Sequence, residues 1–184
     1  MILTLVIIGA VLIVLFGMYN TLVGKKNAVE KAFGSIDVML KKRYDLIPNL
    51  VAAVKRYMQH EAGLLTEITE LRSKAMSGTL SDNEKVNLNN KITKALGGIK
   101  VAVENYPDLK ANQNFLQLQG SLNEVEEQLS AARRAYNASV TDYNNAVEMF
   151  PTNMIASMIG YQRKDIFEAS AEERQNVNVG KLFK

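Results

Sequence analysis

The sequence contains no cysteine, no tryptophan, one histidine and three prolines among its 184 residues. Without cysteine, disulfides, thiol nucleophiles and cysteine-based zinc sites are excluded. The single histidine, His60, is followed by Glu61 but belongs to no H-E-x-x-H pattern, so we expect a solvated or structural side chain there. No nucleotide-binding or nucleophile–base signature is present. We therefore predict a protein that has no enzymatic activity, cofactor or metal.

The sequence also lacks a strong excess of either positive or negative charge. The chain has 22 basic and 19 acidic residues, which gives a formal charge of +3 at neutral pH. These charges are spread along the sequence, and no basic surface with interleaved aromatic residues is indicated. Nucleic acid is therefore not expected as a partner.

One segment near the start of the sequence is strongly apolar. Within Ile2–Met18 the only side chain with a hydrogen-bonding group is Thr4, and no charged residue occurs before Lys25. Extended to Val23, a helix rises about 33 Å, enough for the roughly 30 Å hydrocarbon core of a bilayer. A cleavable signal peptide is the alternative, but the segment has no basic start and no A-x-A-like site after it. We predict a transmembrane anchor over residues 1–24.

The distribution of basic residues around this segment predicts its orientation. Several follow the span and none precedes it: Lys25, Lys26, Lys31, Lys41, Lys42 and Arg43. By the positive-inside rule, the N-terminus lies outside and the rest of the chain is cytoplasmic. Within the span, small residues recur every seven positions, at Ala10, Gly17 and Gly24. They indicate either a stripe for close helix packing or only the general frequency of small residues in membrane helices.

Beyond the anchor, apolar residues recur at steps of three and four, which is the period of a helix. The first helix covers residues up to about 75, and connections near 76–81 and 106–111 make the successive helices antiparallel. Pro48 should kink or break the first helix, because its ring displaces the carbonyl of Tyr44 and it has no N–H. The predicted fold is all-α: a long kinked first helix continues from the anchor into an antiparallel bundle over residues 25–150.

The third helical segment has the most regular pattern. Its apolar positions alternate steps of three and four over five heptads, which predicts a seam of close helix packing. The seam comprises Phe115, Leu118, Leu122, Val125, Leu129, Tyr136 and Tyr143, with Ser139 as its one polar position. Asn137 and Asn144 lie one position past seam residues. Polar contacts across the bundle and a solvated flank are equally compatible with their spacing.

Two further clusters are candidate interaction sites. One is a charged group that forms either a patch for a partner or anionic lipid, or an ordinary solvated face: Lys41, Lys42, Arg43 and Asp45. The other is a short apolar segment: Phe150, Met154, Ile155, Met158 and Ile159. In a three-helix arrangement it lies at the end of the bundle far from the bilayer, either as an assembly surface or as a cap. The rest of residues 151–184 is predicted to be extended or disordered.

Several blocks of the sequence, in order from about residue 1 to residue 168, resemble the LemA family. They are Tyr19-Asn20, residues 36–51, residues 106–112, residues 132–137, residues 142–144 and Phe150-Pro151. The resemblance implies a bacterial inner-membrane protein with a cytoplasmic antiparallel helical bundle and no established enzymatic activity. It links relatives loosely to envelope stress and to the MamQ branch of magnetosome-forming bacteria. Residues 176–181 depart from it, because they lack a proline-rich lead-in.

These observations favour a non-catalytic scaffold or adaptor that self-associates at the cytoplasmic membrane face. Its expected partners are the lipid bilayer and further copies of the chain. The alternative is a regulatory or sensor subunit that binds a small molecule or a membrane protease in an envelope-stress pathway. A membrane-protein partner of unknown identity is compatible with either function.

Overall fold

The structure, a computed structural model, describes residues 1–78, 80 and 82–167. Within this part of the chain the regular structure is helical throughout, so the all-α prediction is confirmed. Six helices are present in the described residues: α1 (Ile2–Val54), α2 (Ala62–Ala75), α3 (Asp82–Val103), α4 (Pro107–Lys110), α5 (Gln113–Glu148) and α6 (Thr152–Met158).

The contacts divide these helices into two compact units. Gly34–Ala132 forms the four-helix unit, named for its four long helical segments: the second part of α1, all of α2 and α3, and the first part of α5. The short α4 also belongs to it. Met1–Phe33 and residues 133–167 form the described part of the anchor unit, which also contains α6. Both α1 and α5 therefore contribute residues to each unit.

The chain reverses after Val54, where the sequence pattern predicted one helix up to about residue 75. The N–H groups of Tyr57 and Met58 both donate to the Val54 carbonyl at 2.9 Å, and residues 55–61 lead into α2. The sequence pattern does not indicate this turn. Residues 55–61 contain no glycine or proline, and Met58 continues the apolar period. Met58 is in fact buried inside the turn. The bundle therefore has four long helical segments instead of three.

Pro48 lies inside α1 without breaking it. A proline cannot donate a hydrogen bond to the carbonyl four residues earlier, which here belongs to Tyr44. That carbonyl accepts a hydrogen bond from Nε of Arg72 on α2, at 2.8 Å. Because Arg72 supplies the missing donor, α1 continues to Val54. The predicted break is wrong, and the predicted kink stays a prediction.

The core of the four-helix unit is formed by apolar side chains at helical spacing on all four long segments. Among the most deeply buried are Ile36, Ile47, Val54, Ile68, Ile92, Ile99 and Leu129. α2 and α3 approach closely at Gly98, where an added Cβ would lie 3.3 Å from Cδ1 of Leu64. A glycine at this position therefore lets the two helices pack without displacing Leu64.

The predicted seam on α5 is buried to different degrees. Phe115, Val125, Leu129 and Tyr143 are buried, whereas Leu118, Leu122 and Tyr136 are partly exposed. Val140 is fully buried, although the pattern assigned that level of the seam to Ser139. The hydroxyl of Ser139 donates to the Ala135 carbonyl at 3.0 Å. A step of four from Tyr136 to Val140 and a step of three to Tyr143 preserve the helical period.

The hydrogen bond at Pro48 gives a prediction about coupled stability. Replacing Arg72 by Met removes the donor to the Tyr44 carbonyl and should lower the free energy of unfolding by about 1–3 kcal/mol. In a Pro48→Ala background residue 48 regains its own N–H, so the same replacement should cost much less. Urea unfolding of the four variants, followed by circular dichroism in detergent, measures this coupling.

The exposed Lys74 on the same helix provides the control, since Lys74→Met should change stability by less than about 0.5 kcal/mol. Equal costs of Arg72→Met in the two backgrounds would show that Arg72 does not compensate for Pro48.

Candidate functional site

Arg43 is 4% exposed and is the one buried charged side chain among the described residues. Its Nη1 donates to Oδ1 of Asn89 at 2.7 Å and to Oγ1 of Thr93 at 2.9 Å, both on α3. Its Nη2 pairs with Oε2 of Glu126 on α5, also at 2.9 Å. One guanidinium group thus connects α1, α3 and α5, a geometry that suits the planar fork of arginine.

The burial of Arg43 corrects the predicted charged patch. Core residues of α1 at Leu40, Tyr44 and Ile47 define its inner face, and Arg43 falls beside Tyr44 on that face. Lys41, Lys42 and Asp45 are exposed. Lys41 and Asp45 form an ion pair at 2.8 Å on the outer face. Arg43 therefore does not belong to the surface patch, and a partner or lipid role for the other three residues remains a prediction.

An open cleft of about 390 Å³ lies next to Arg43. Apolar side chains of α1, α3 and α5 supply much of its lining: Leu50, Leu96, Ile99, Val103, Phe115, Leu116 and Leu122. Five charged residues also contribute, namely Arg43, Lys100, Glu104, Lys110 and Glu126. The cleft therefore combines an apolar surface with charges of both signs. Leu122, which was predicted to lie in the seam, lines this cleft.

Two tyrosines of this unit have raised pKa values. Burial raises the pKa of the Tyr44 phenol above 10.0, an effect that Arg43 opposes and Asp37 adds to. The Tyr106 hydroxyl donates to both carboxylate oxygens of Glu61, at 3.0 and 2.8 Å, and this hydrogen bonding raises the pKa of Tyr106. Both phenols are therefore protonated at neutral pH and do not act as bases, and the Tyr106 hydroxyl serves as a hydrogen-bond donor.

The described residues contain no cluster of three or more side chains suited to holding a metal ion. His60 lies exposed in the turn between α1 and α2, next to Glu61. Glu61 itself accepts the hydrogen bonds from Tyr106. The residue after His60 thus connects the start of α2 with Tyr106, which follows α3.

In the anchor unit, Asn144 and Asn137 bind the backbone of the extended segment 161–167. The Asn144 amide donates to the Lys164 carbonyl and accepts from the Lys164 N–H, both at 2.9 Å. Asn137 forms the same pair of bonds with Phe167, at 2.9 and 2.8 Å. Each side-chain amide thus forms the pair of hydrogen bonds that a residue of a neighbouring β-strand would form with this backbone. The spacing fits because seven helical residues rise about 10.5 Å and three extended residues about 10 Å.

Aromatic contacts add to this asparagine ladder. Phe167 packs against Tyr136 and Phe33, with ring centroids 5.0 and 6.2 Å away. At the other end of the segment, Tyr161 lies 6.2 Å from Tyr143, and the Lys26 ammonium lies 5.7 Å from the Tyr161 ring. Within the tail that was predicted to be extended or disordered, segment 161–167 is thus extended and held by side chains of α1 and α5. Residues 168–184 of that tail lie outside the described part of the chain.

The apolar segment around α6 lies beside the anchor and not at a distant end of the bundle. A cavity of about 430 Å³ is lined by both α1 and α6, through Leu12, Leu15, Phe16, Tyr19, Ile155, Met158 and Ile159. α5 runs antiparallel to α1 here, because Lys25 pairs with Asp142 at 2.7 Å whereas Phe33, later in α1, packs against Tyr136, earlier in α5, with ring centroids 5.7 Å apart. The predicted position of Phe150–Ile159 was wrong because α2 adds a pass that the sequence did not reveal.

The predicted anchor is the first part of α1, and within the described residues α1 is the one helix long and apolar enough to cross a membrane. Leu22 is fully buried, whereas most apolar side chains before it are exposed. Ala10, Gly17 and Gly24 are uncovered as well, and nothing lies within 4 Å of a Cβ added at either glycine. A helix-packing role for this stripe remains a prediction.

Comparison with known proteins shows sequence similarity to one family. The sequence profile of the LemA family matches residues 32–180. Protein LemA of Metamycoplasma hominis is 29% identical over 175 residues, which cover 95% of this chain and 80% of that protein. Magnetosome proteins MamQ 1 and MamQ 2 of Paramagnetospirillum magneticum are each 23% identical over 193 residues, with 91% of this chain and 71% of theirs covered. The matched range covers the positions of Arg43, Arg72 and both asparagines of the ladder.

The Arg43 network predicts a stability loss on substitution. Arg43→Met leaves the buried Asn89 amide without its charged partner and should lower the free energy of unfolding by about 1–3 kcal/mol. Glu126 is 41% exposed and returns to solvent at little cost. Urea unfolding in detergent measures the loss, and Lys42→Met at the exposed neighbouring position is the control. Equal effects of the two substitutions would contradict a structural role of the network.

The asparagine ladder gives a second prediction. Asn137→Ala removes both hydrogen bonds to Phe167, so the backbone N–H of Phe167 should exchange with solvent about 5- to 30-fold faster. Hydrogen exchange followed by mass spectrometry of the C-terminal peptides measures this change. Asn145→Ala, at an exposed position of the same helix, should leave exchange unaltered. Unchanged exchange in Asn137→Ala would mean that the aromatic contacts alone hold the segment.

Proposed function

The chain belongs to the LemA family, and from this we propose that it is a non-catalytic, membrane-anchored scaffold that self-associates at the cytoplasmic face of the bacterial inner membrane. Neither the LemA family nor its MamQ relatives are known as enzyme families. The family relationship suggests a membrane-associated protein. The geometry described above supports the more specific parts of the proposal.

The apolar first part of α1 supports anchoring in a bilayer. Its side chains before Leu22 are mostly exposed, and their transfer from water to lipid is favourable. Lys25 and Lys26 follow directly after this segment. By the positive-inside rule these basic residues remain in the cytoplasm, and the four-helix unit that follows them is placed on the same side.

The observation that carries the proposed self-association is the cleft beside Arg43. Its apolar lining on α3 follows helical spacing at Leu96, Ile99 and Val103. On α5, Leu116 also lines the cleft but is 49% exposed. A second copy can insert its own Leu116 into the cleft while offering its cleft in return. Such an exchange of identical surfaces is the contact found in twofold dimers.

The charges of the cleft are compatible with a second copy as the occupant. Arg43, Lys100 and Lys110 are basic, and Glu104 and Glu126 are acidic. Within one copy Arg43 already pairs with Glu126, and Lys110 pairs with Glu104. The cleft therefore carries little net charge, and a second copy with the same charges is not repelled. A surface with charge of one sign would instead repel its copy.

The size of the cleft also favours a second function, that of a regulatory or sensor subunit. Small-molecule sites usually have volumes of roughly 300–1,000 Å³, apolar walls and a few fixed polar groups. A volume of about 390 Å³ with Arg43 in the wall meets that description. In this role a small molecule, or a segment of a membrane protease, occupies the cleft instead of a second copy.

Substitution of Leu116 tests the self-association. Leu116→Asp places a charge where the apolar contact is proposed, so the oligomer extracted in mild detergent should dissociate towards the monomer. Light scattering coupled to size-exclusion chromatography measures the protein mass. Val101→Asp is the matched control, because Val101 is 73% exposed on α3 but does not line the cleft.

The result distinguishes the two functions. Loss of the oligomer in Leu116→Asp but not in Val101→Asp supports the scaffold. A wild-type protein that is monomeric, and that co-purifies with one stoichiometric partner or a bound small molecule, would overturn self-association in favour of the regulatory subunit.

A further inference from the structure

The position of α6 relative to the anchor bears on which residues meet the membrane. Side chains of Leu12, Phe16 and Tyr19 in α1 line the same cavity as Ile155 and Met158 of the α6 segment. α6 therefore lies at the level of Leu12–Tyr19 along the anchor helix. Any depth assigned to this part of α1 in a bilayer also applies to α6.

The length of the anchor fixes that depth. A helix over Ile2–Val23 rises about 33 Å, close to the roughly 30 Å thickness of the hydrocarbon core. Leu12 lies at the middle of this span, so Leu12–Tyr19 belongs to the half of the bilayer nearer Val23. When α1 spans the membrane, α6 cannot remain in bulk water.

The composition around α6 suits this environment. Residues 149–162 contain no charged side chain. The charged residues on either side, Glu148 and Arg163, pair with each other at 2.7 Å. The uncharged stretch is therefore a loop whose two ends are held together by an ion pair. A stretch of 10–14 residues is too short to cross a bilayer but has the length of a re-entrant or interfacial segment.

The hydrogen bonds of the loop reduce the cost of leaving water. The hydroxyl of Thr152 donates to the Met149 carbonyl at 3.0 Å, and that of Ser157 donates to the Met154 carbonyl at 2.9 Å. After α6 the N–H groups of Gly160 and Tyr161 donate back to carbonyls of the helix. Gly160 has φ +73°, a conformation that suits glycine in this type of helix end. These polar groups are satisfied within the segment, as a lipid environment requires, whereas Oδ1 of Asn153 is buried without a hydrogen-bond partner.

Most of the outward side chains of the loop are apolar, and the exposed polar ones are Ser157 and Gln162. Phe150 is 78% exposed, Met154 60% and Met158 85%. Close to the ends of the loop, Tyr161 and Lys26 form a cation–π contact, and such aromatic and basic residues are typical of a membrane interface. The exposed apolar surface of the loop adjoins that of the anchor. Lipid acyl chains that surround the anchor in a bilayer therefore reach the loop as well.

We propose that residues 149–162 form a second membrane-embedded element, a re-entrant helix beside the anchor whose Phe150, Met154 and Met158 side chains contact lipid acyl chains. This inference rests on the membrane anchoring by α1 and not on self-association through the cleft. The assembly surface predicted for these residues from the sequence is thereby replaced by a lipid-facing surface.

The full-length protein is suited to a direct test, because it contains no cysteine. Single-cysteine variants Met158→Cys and Met154→Cys are spin-labelled and reconstituted into vesicles of phosphatidylethanolamine and phosphatidylglycerol. Collision of the label with oxygen, which concentrates in lipid, is compared with collision with a water-soluble nickel complex. Ile13→Cys in the anchor is the lipid reference, and Val101→Cys in the four-helix unit is the water reference; both positions are highly exposed in the single chain.

The labels at 154 and 158 should resemble the label at 13, with oxygen access higher than nickel access, whereas the label at 101 should show the reverse order. Nickel access at 158 equal to that at 101 would overturn the proposal. So would low access to both reagents at 154 and 158, because a second protein surface would then cover them. A label at 13 that is open to nickel would refute the spanning anchor itself. None of these results depends on the Leu116 experiment.

Discussion

The hydrogen bond from Arg72 to the Tyr44 carbonyl is the interaction on which much of the structure depends. Pro48 leaves this carbonyl without its usual donor, and a helix in that situation kinks or ends. Arg72 lies on α2 and reaches the carbonyl only when α2 folds back along α1. The turn at residues 55–61 thus brings to α1 the donor that its Tyr44 carbonyl lacks.

A second arginine organises the side of the bundle where apolar contact is incomplete. α3 and α5 leave a cleft between them, and Arg43 binds Asn89 and Thr93 on one side and Glu126 on the other. Burial of a charge is tolerated only with partners of this kind. The two arginines thus join neighbouring helices through hydrogen bonds, and neither is free to act as a surface charge for steering partners.

The sequence predicted the helices better than their arrangement. Length and composition identify the anchor, and the apolar period identifies α3 and α5. The turn after Val54 is invisible because Met58 keeps the period without glycine or proline. That one omission placed Phe150–Ile159 at the wrong end of the bundle. Arg43 was interpreted together with the exposed Lys41 and Lys42, although its position beside Tyr44 is in phase with the core. A charged residue in an apolar phase is the signal that could have revealed it.

The asparagine ladder constrains how this chain can vary. Asn137 and Asn144 read only the N–H and carbonyl groups of Lys164 and Phe167, and these groups are the same for every residue other than proline. The side chains at 165 and 166 can therefore change without loss of these bonds. One residue inserted between Lys164 and Phe167 shifts the rungs by about 3.3 Å, which is beyond the reach of a hydrogen bond. In this part of the protein, the number of residues is under stronger constraint than their identity.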